Sequence, residues 1–120
     1  MNLRPFVRPR LDVLFVALNP PVESNDNGHY FSGKNSRFFE LLYLSGLITS
    51  PVPKETGDEI VFGSVAVNYK GKRFGIIDLV EDLVETNSSK VRPTPRDLES
   101  LIQQIRQINP RFCIGDVLNI

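Results

Sequence analysis

Apolar residues run almost without interruption from Leu11 to Leu18, in the order Leu-Asp-Val-Leu-Phe-Val-Ala-Leu, and stop at Asn19-Pro20-Pro21. A run of that length, rich in β-formers, predicts a strand covered on both faces, as in a parallel sheet. From Val22 to Asn35 the pattern disappears: Glu, Ser, Asn, Asp and Gly crowd the stretch, and no amphipathic period holds it as helix or strand. It reads as a loop, and loops of such length in compact domains are usually functional or disordered. From Arg37 the period becomes helical. Phe38, Leu41, Leu42, Leu44, Leu47 and Ile48 define an apolar face, with Ser36 positioned to cap its start and Gly46 to end it.

Thr49 to Asp58, with Pro51, Pro53 and Gly57, reads as a connector. Glu59–Asn68 and Arg73–Asp78 are β-like segments joined by Tyr69-Lys70-Gly71-Lys72; either they form a hairpin, or only Phe74 to Ile77 enters the main sheet. Asp78 and Glu81 have capping-box spacing ahead of Leu83 and Val84, which predicts a short helix there. After a polar loop from Thr86 to Pro95, Thr94-Pro95-Arg96-Asp97 signals a helix start. Leu98, Leu101, Ile102, Ile105 and Ile108 supply its stripe, and Asn109-Pro110 stops it. Arg111 to Gly115 then begins a strand. Ahead of everything, Met1 to Arg10, with Pro5, Pro9 and three arginines, reads as an extended, solvated basic arm.

The alternation of strand and helix predicts an α/β layered domain with a mostly parallel sheet and right-handed crossovers. Ligands of such sheets sit beyond the carboxyl ends of the strands. That gathers Asn19 to Asn35, Asp78 and the Thr86–Pro95 loop on one rim.

The chain has 120 residues, 41% of them hydrophobic and 23% charged, which predicts one domain over residues 1–120. Lys plus Arg number 14 and so do Asp plus Glu, so binding to nucleic acid through bulk positive charge is excluded and any such binding needs a local patch. Cys113 is the only cysteine and His29 the only histidine, which rules out an internal disulfide and a His-rich metal site. The expectation is a cytoplasmic protein without metal or other cofactor. Val13 to Leu18 is too short for a secretory segment or for the roughly 20 residues of a membrane span. No Gly-rich phosphate loop of the P-loop or dinucleotide type occurs.

Three stretches carry a more specific pattern. Ala17-Leu18-Asn19-Pro20-Pro21 is followed by Gly28-His29-Tyr30-Phe31-Ser32-Gly33-Lys34-Asn35-Ser36-Arg37-Phe38-Phe39 and by Leu44-Ser45-Gly46-Leu47. In order and spacing they resemble the first motif region of the uracil-DNA glycosylase superfamily, most nearly its mismatch-specific uracil/thymine branch. The resemblance continues through Gly75-Ile76-Ile77-Asp78-Leu79-Val80 and Ile105 to Gly115, covering roughly residues 11 to 115. It implies a three-layer sandwich around a mostly parallel sheet, here truncated after the third core strand. It also implies an enzyme of base excision repair that hydrolyses the N-glycosidic bond of uracil, or a related deaminated base, in DNA.

Such an enzyme extrudes a nucleotide, stacks its base, reads its edge and hydrolyses the bond with water. By resemblance Asn19 positions that water through its side-chain carbonyl, with Leu18 and Pro20 flanking it at the substrate. An amide is no strong base, so the rate depends on stabilising a dissociative transition state, and turnover is expected to be slow. Phe31 aligns with the stacking aromatic, and Tyr30 and His29 flank it. Ser36 falls where the family has an Asn, so it either bonds the base or only caps the helix. Asp78 falls where related pockets have Asn or Lys; it accepts from a base N–H, caps a helix, or does both. Lys34, Arg37, Lys90 and Arg92, with Arg96, are candidates for DNA phosphates; the alternative is a scattered solvated face.

The pattern departs from the family in places. Ala17 and Pro21 replace two glycines around Asn-Pro, and Phe39 replaces a Trp. The family's second motif, an Asn/His-Pro-Ser-type segment after a fourth strand, has no counterpart. That predicts a pocket open on one side and an exposed sheet edge through which the chain would form a homodimer. The competing reading is a catalytically incomplete relic that binds DNA or protein weakly.

Overall fold

The computed structural model describes residues 3–115; Met1 and Asn2 of the basic arm and residues 116–120 lie outside it. Three strands, β1 (Val13–Ala17), β2 (Phe74–Asp78) and β3 (Phe112–Gly115), form a parallel sheet in the order β2-β1-β3. The continuous run around Val13 occupies the centre, as its two-sided hydrophobicity requires. Ala17 pairs with Asp78, so β1 and β2 reach the same rim together.

Successive residues of a strand face opposite sides, and the two cores follow that alternation. Leu14, Val16 and Ile77 pack with Leu101 and Ile108 of helix α4 (Pro95–Ile108). Phe15, Phe74 and Ile76 pack on the other face with Phe39 and Leu42 of α2 (Phe38–Leu44) and Val61 of α3 (Gly57–Val61). The result is the three-layer arrangement. The step from β1 to β2 goes one way across the sheet and the step from β2 to β3 goes the other. Two crossovers of one hand must then lie on opposite faces, and they do.

Helix α4 starts as its sequence dictates: Thr94 Oγ1 accepts from Asp97 N at 3.2 Å while Thr94 N donates to Asp97 Oδ2 at 2.8 Å, with Pro95 at the first helical position. Asn109 closes it in the left-handed region at φ 50°. Elsewhere the structure corrects the sequence reading. Val22–Asn27 is a helix, α1, closed by Gly28 at φ 75°, rather than a loop. Ser36 caps nothing: the residue before α2 is Arg37, and no side chain caps that helix. Residues 79–87 contain no helix, so Asp78 is not a cap. Of the two β-like segments only the second enters the sheet, while Glu59 to Val61 belongs to α3.

The arm is extended but not fully solvated. Phe6 exchanges two backbone hydrogen bonds of 3.0 Å with Ile76, antiparallel to the free edge of β2, and packs its ring near Tyr30 and Phe62. Gly75 makes this possible, because a Cβ there would collide with the Phe6 carbonyl and the Leu11 side chain.

Candidate active site

Beyond the carboxyl ends of β1 and β2 lies a cavity of about 400 Å³. Leu18, Asn19, Tyr30, Phe31, Ser36 and Asp78 all line it, although they come from segments up to 60 residues apart in the chain. Pro20 does not line it; Pro21 does, while the Pro20 carbonyl accepts from Glu85 N at 3.0 Å behind the wall.

Asn19 is buried. Its Nδ2 donates to Glu85 O at 2.8 Å, to Leu83 O at 3.1 Å and to Pro20 O at 3.3 Å. Only an NH₂ can satisfy carbonyls, so these contacts fix which way the amide points. Among the described residues no donor reaches its Oδ1, which therefore keeps its acceptor capacity for a molecule in the cavity. The same contacts tie the loop after β2 to the loop after β1, a task beyond that of a turn residue before proline.

Phe31 sits at φ 57°, a left-handed backbone that costs a residue of its kind roughly 1–3 kcal/mol. Its ring stacks on Phe38 with centroids 3.8 Å apart and planes 13° from parallel. Phe39 meets the ring edge-on at 5.9 Å, and Phe31 still lines the cavity. The conformation is held from outside the cavity by Asp58, which is 1% exposed. Asp58 Oδ2 accepts from Tyr30 N at 2.8 Å, and its Oδ1 accepts from Glu59 N at 2.8 Å and pairs with His29 Nδ1 at 2.9 Å. His29 is therefore a loop anchor and not a cavity residue. Ser32 Oγ donates to His29 O within the same loop and accepts from Asn27 Nδ2 at the end of α1.

Tyr30 is buried, and its hydroxyl donates to Asp78 Oδ2 at 3.0 Å. Burial, with Asp78 beside it, raises the phenol well above its ordinary value. Asp78 Oδ1 is buried with no partner among the described residues. Burial pushes the Asp78 carboxyl up to about 6; the Tyr30 hydrogen bond opposes the rise and Glu81 adds to it. The cavity wall thus carries two acceptors without partners among the described residues, Asn19 Oδ1 and the solvent-inaccessible Asp78 Oδ1. Asn19 Oδ1 can hold a water, and Asp78 can meet an N–H-bearing ring where its carboxyl turns toward the cavity.

The basic residues fall in several places. Lys34 and Arg37 line a neighbouring hollow, where Arg37 Nε meets Glu40 Oε2 at 3.2 Å. Lys90 Nζ lies 3.8 Å from Glu85 Oε1, and Arg92 donates to Ser89 O at 2.6 Å; neither lines the cavity. Asp58 and Asn35 were not predicted. Asn35 lines the cavity one residue before the position at which the motif carries an amide. Asp58 gave no signal, since its part depends on a contact 28 residues away. Among the described residues no group of three His, Cys, Asp or Glu gathers as for a metal ion, and no helix is long and apolar enough to cross a membrane.

This sheet, with an asparagine and an aspartate at the rim of neighbouring strands and an aromatic loop above them, describes an α/β domain built around a rim cavity. Residues 4–115 match the model of the uracil DNA glycosylase superfamily, and the chain belongs to that superfamily. A search of the curated proteins returned no match.

Proposed function

We propose that this chain is a monofunctional DNA glycosylase that removes uracil, or a related deaminated base, from DNA and so opens base excision repair. The observation that carries the reading is the Asn19 amide, whose donors are consumed by backbone carbonyls while its carbonyl is left free at the cavity. In this reading Asn19 Oδ1 accepts a hydrogen bond from a water and holds it against the sugar C1′. The bond from C1′ to the base nitrogen breaks first, its electron pair leaving with the base as an anion that takes up a proton from solvent; the water oxygen then bonds to C1′ and its surplus proton passes to solvent. The amide only orients, so most of the acceleration comes from preorganised contacts to the separating charges.

Phe31 stacks the extruded base, contributing on the order of 1–3 kcal/mol against the few kcal/mol that unstacking costs. Asp78 Oδ1 accepts from an N–H on the base edge, and Tyr30 holds that carboxylate by its hydroxyl. Leu18 and Ser36 complete the wall, and Lys34, Arg37, Lys90 and Arg92 meet strand phosphates. Similarity of motifs favours the mismatch-specific branch and mismatched or single-stranded DNA as substrate. Residues 1–120 act as one cytoplasmic domain without cofactor, pairing into a homodimer through the edge of β3.

The test is incubation of stoichiometric protein with labelled G·U duplex and with single-stranded uracil DNA, followed by alkaline cleavage of abasic sites. Strand breaks at uracil are expected. Their absence from both substrates would leave the competing reading, a relic that only binds.

A further inference from the structure

A second hollow, of about 610 Å³, opens beside the Asn19 cavity, between α2 and the segment Pro51 to Lys54. Asn35 and Ser36 line both, so two consecutive residues form the wall between them. The two spaces differ sharply in charge. The Asn19 cavity is bordered by Glu23, Asp78 and Glu85 and by no Lys or Arg. The second hollow is bordered by Lys34, Arg37 and Lys54 against Glu40 alone.

A neutral ring can enter the acidic cavity, but a phosphodiester repelled by three carboxylates cannot follow it there. A strand whose base occupies the first cavity finds its nearest cationic surface across the Asn35–Ser36 wall. Glu40 and Tyr43 lie three residues apart on α2 and so share one of its faces, and Arg37, the residue before the helix, pairs with Glu40 at 3.2 Å. Tyr43 is 41% exposed on that face. Lys54 Nζ donates to Lys34 O at 2.8 Å and to Gly33 O at 3.0 Å, which uses two of its three protons and leaves one for an incoming oxygen.

We propose that this second hollow is a subsite for the nucleotide covalently joined to the extruded one, with its phosphate at Lys54 and Arg37 and its base against Tyr43. The inference rests on the reading of the chain as an enzyme that acts on DNA. Stacking on a tyrosine is tolerant of base identity, so the subsite adds affinity for a strand without adding sequence preference.

The experiment is calorimetric titration of the full chain with two ligands. One is the 5′-monophosphate of 2′-fluorinated deoxyuridine, which resists glycosidic hydrolysis; the other is a pentanucleotide with that unit at its centre and thymidines on both sides. The pentanucleotide is expected to bind at least about tenfold more tightly. Tyr43→Ala and Lys54→Gln each remove about three- to tenfold of that advantage and leave the mononucleotide affinity within about twofold. The glutamine keeps N–H donors on a side chain one atom shorter, and the mononucleotide affinity reports whether loop 33–36 keeps its place. Equal binding of both ligands by the unsubstituted protein, no effect of either variant, or equal weakening of both ligands would overturn the subsite. Uracil release from the unfluorinated pentanucleotide, measured on the same samples, separates the two readings. Length-dependent binding lost in the variants, without any release by the unsubstituted protein, refutes the glycosylase and supports the subsite. Release with binding indifferent to the variants refutes the subsite alone.

Discussion

At the scale of single residues, the cavity is built from groups whose second function is structural. Asn19 latches two loops with its nitrogen and leaves its oxygen available. Asp78 holds Tyr30 with one oxygen and leaves the other unpaired. Such an arrangement has a thermodynamic consequence. Burial raises the Asp78 carboxyl from its ordinary 3.8 to about 6, so between those values the folded protein binds more protons than the unfolded chain. Stability attributable to Asp78 is then fully present below about pH 4 and is lost as pH rises through about 6. The loss is roughly 3 kcal/mol. Asp78→Asn, which still accepts from Tyr30, is expected to be more stable than the unsubstituted protein at pH 7.5 by roughly 1–3 kcal/mol and to lose that advantage at pH 4. Urea unfolding at the two pH values measures it, and a difference that does not change with pH would contradict the placement of a strained buried carboxylate. Asn19 and Phe31 were legible in the sequence because the motif order marks them. Asp58 was not, because a carboxylate in a connector looks like any solvated acid until the chain folds back on it.

Elements defined by long apolar periods were legible, and those defined by distant partners were not. The stripe from Leu98 to Ile108 and the Thr94–Asp97 box determine α4 locally. By contrast α1 has no apolar stripe; it is held by Gly28 at its end and by Glu23, whose carboxylate accepts from Lys34 N at 3.0 Å. The expected helix after Asp78 fails for a related reason. The Leu83 and Glu85 carbonyls accept instead from Asn19. The arm follows the same logic, since its pairing with β2 exists only because residue 75 lacks a side chain. Gly75→Ala is expected to cost roughly 1–3 kcal/mol and to release the arm, seen as a lower melting temperature and faster chymotryptic cleavage after Phe6, the residue that pairs with Ile76. Unchanged protection of the bond after Phe6 would show that the arm does not depend on this close approach.

For the molecule as a whole, the balanced total charge conceals a segregation that only the folded structure reveals: carboxylates border the base-sized cavity and cations border its neighbour. The sequence established that bulk attraction is excluded, and the fold shows where a local patch lies. β3 keeps Phe112 65% and Ile114 49% exposed, next to an edge unpaired among the described residues. The proposed homodimer uses that surface, so sedimentation is expected to show concentration-dependent association that Phe112→Lys abolishes. A protein that stays monomeric at high concentration would remove the homodimer from the account while leaving the cavity intact.

Single-turnover release of uracil by Asn19→Ala reads out whether the free oxygen of the Asn19 amide orients the attacking water. Melting temperature and affinity for uracil DNA should be measured on the same samples, since the substitution also cuts the latch between the loops. A release rate at least about a hundredfold lower is expected, in line with loss of one preorganised polar group, with DNA affinity retained. A folded Asn19→Ala variant that releases uracil at the rate of the unsubstituted protein would contradict that role.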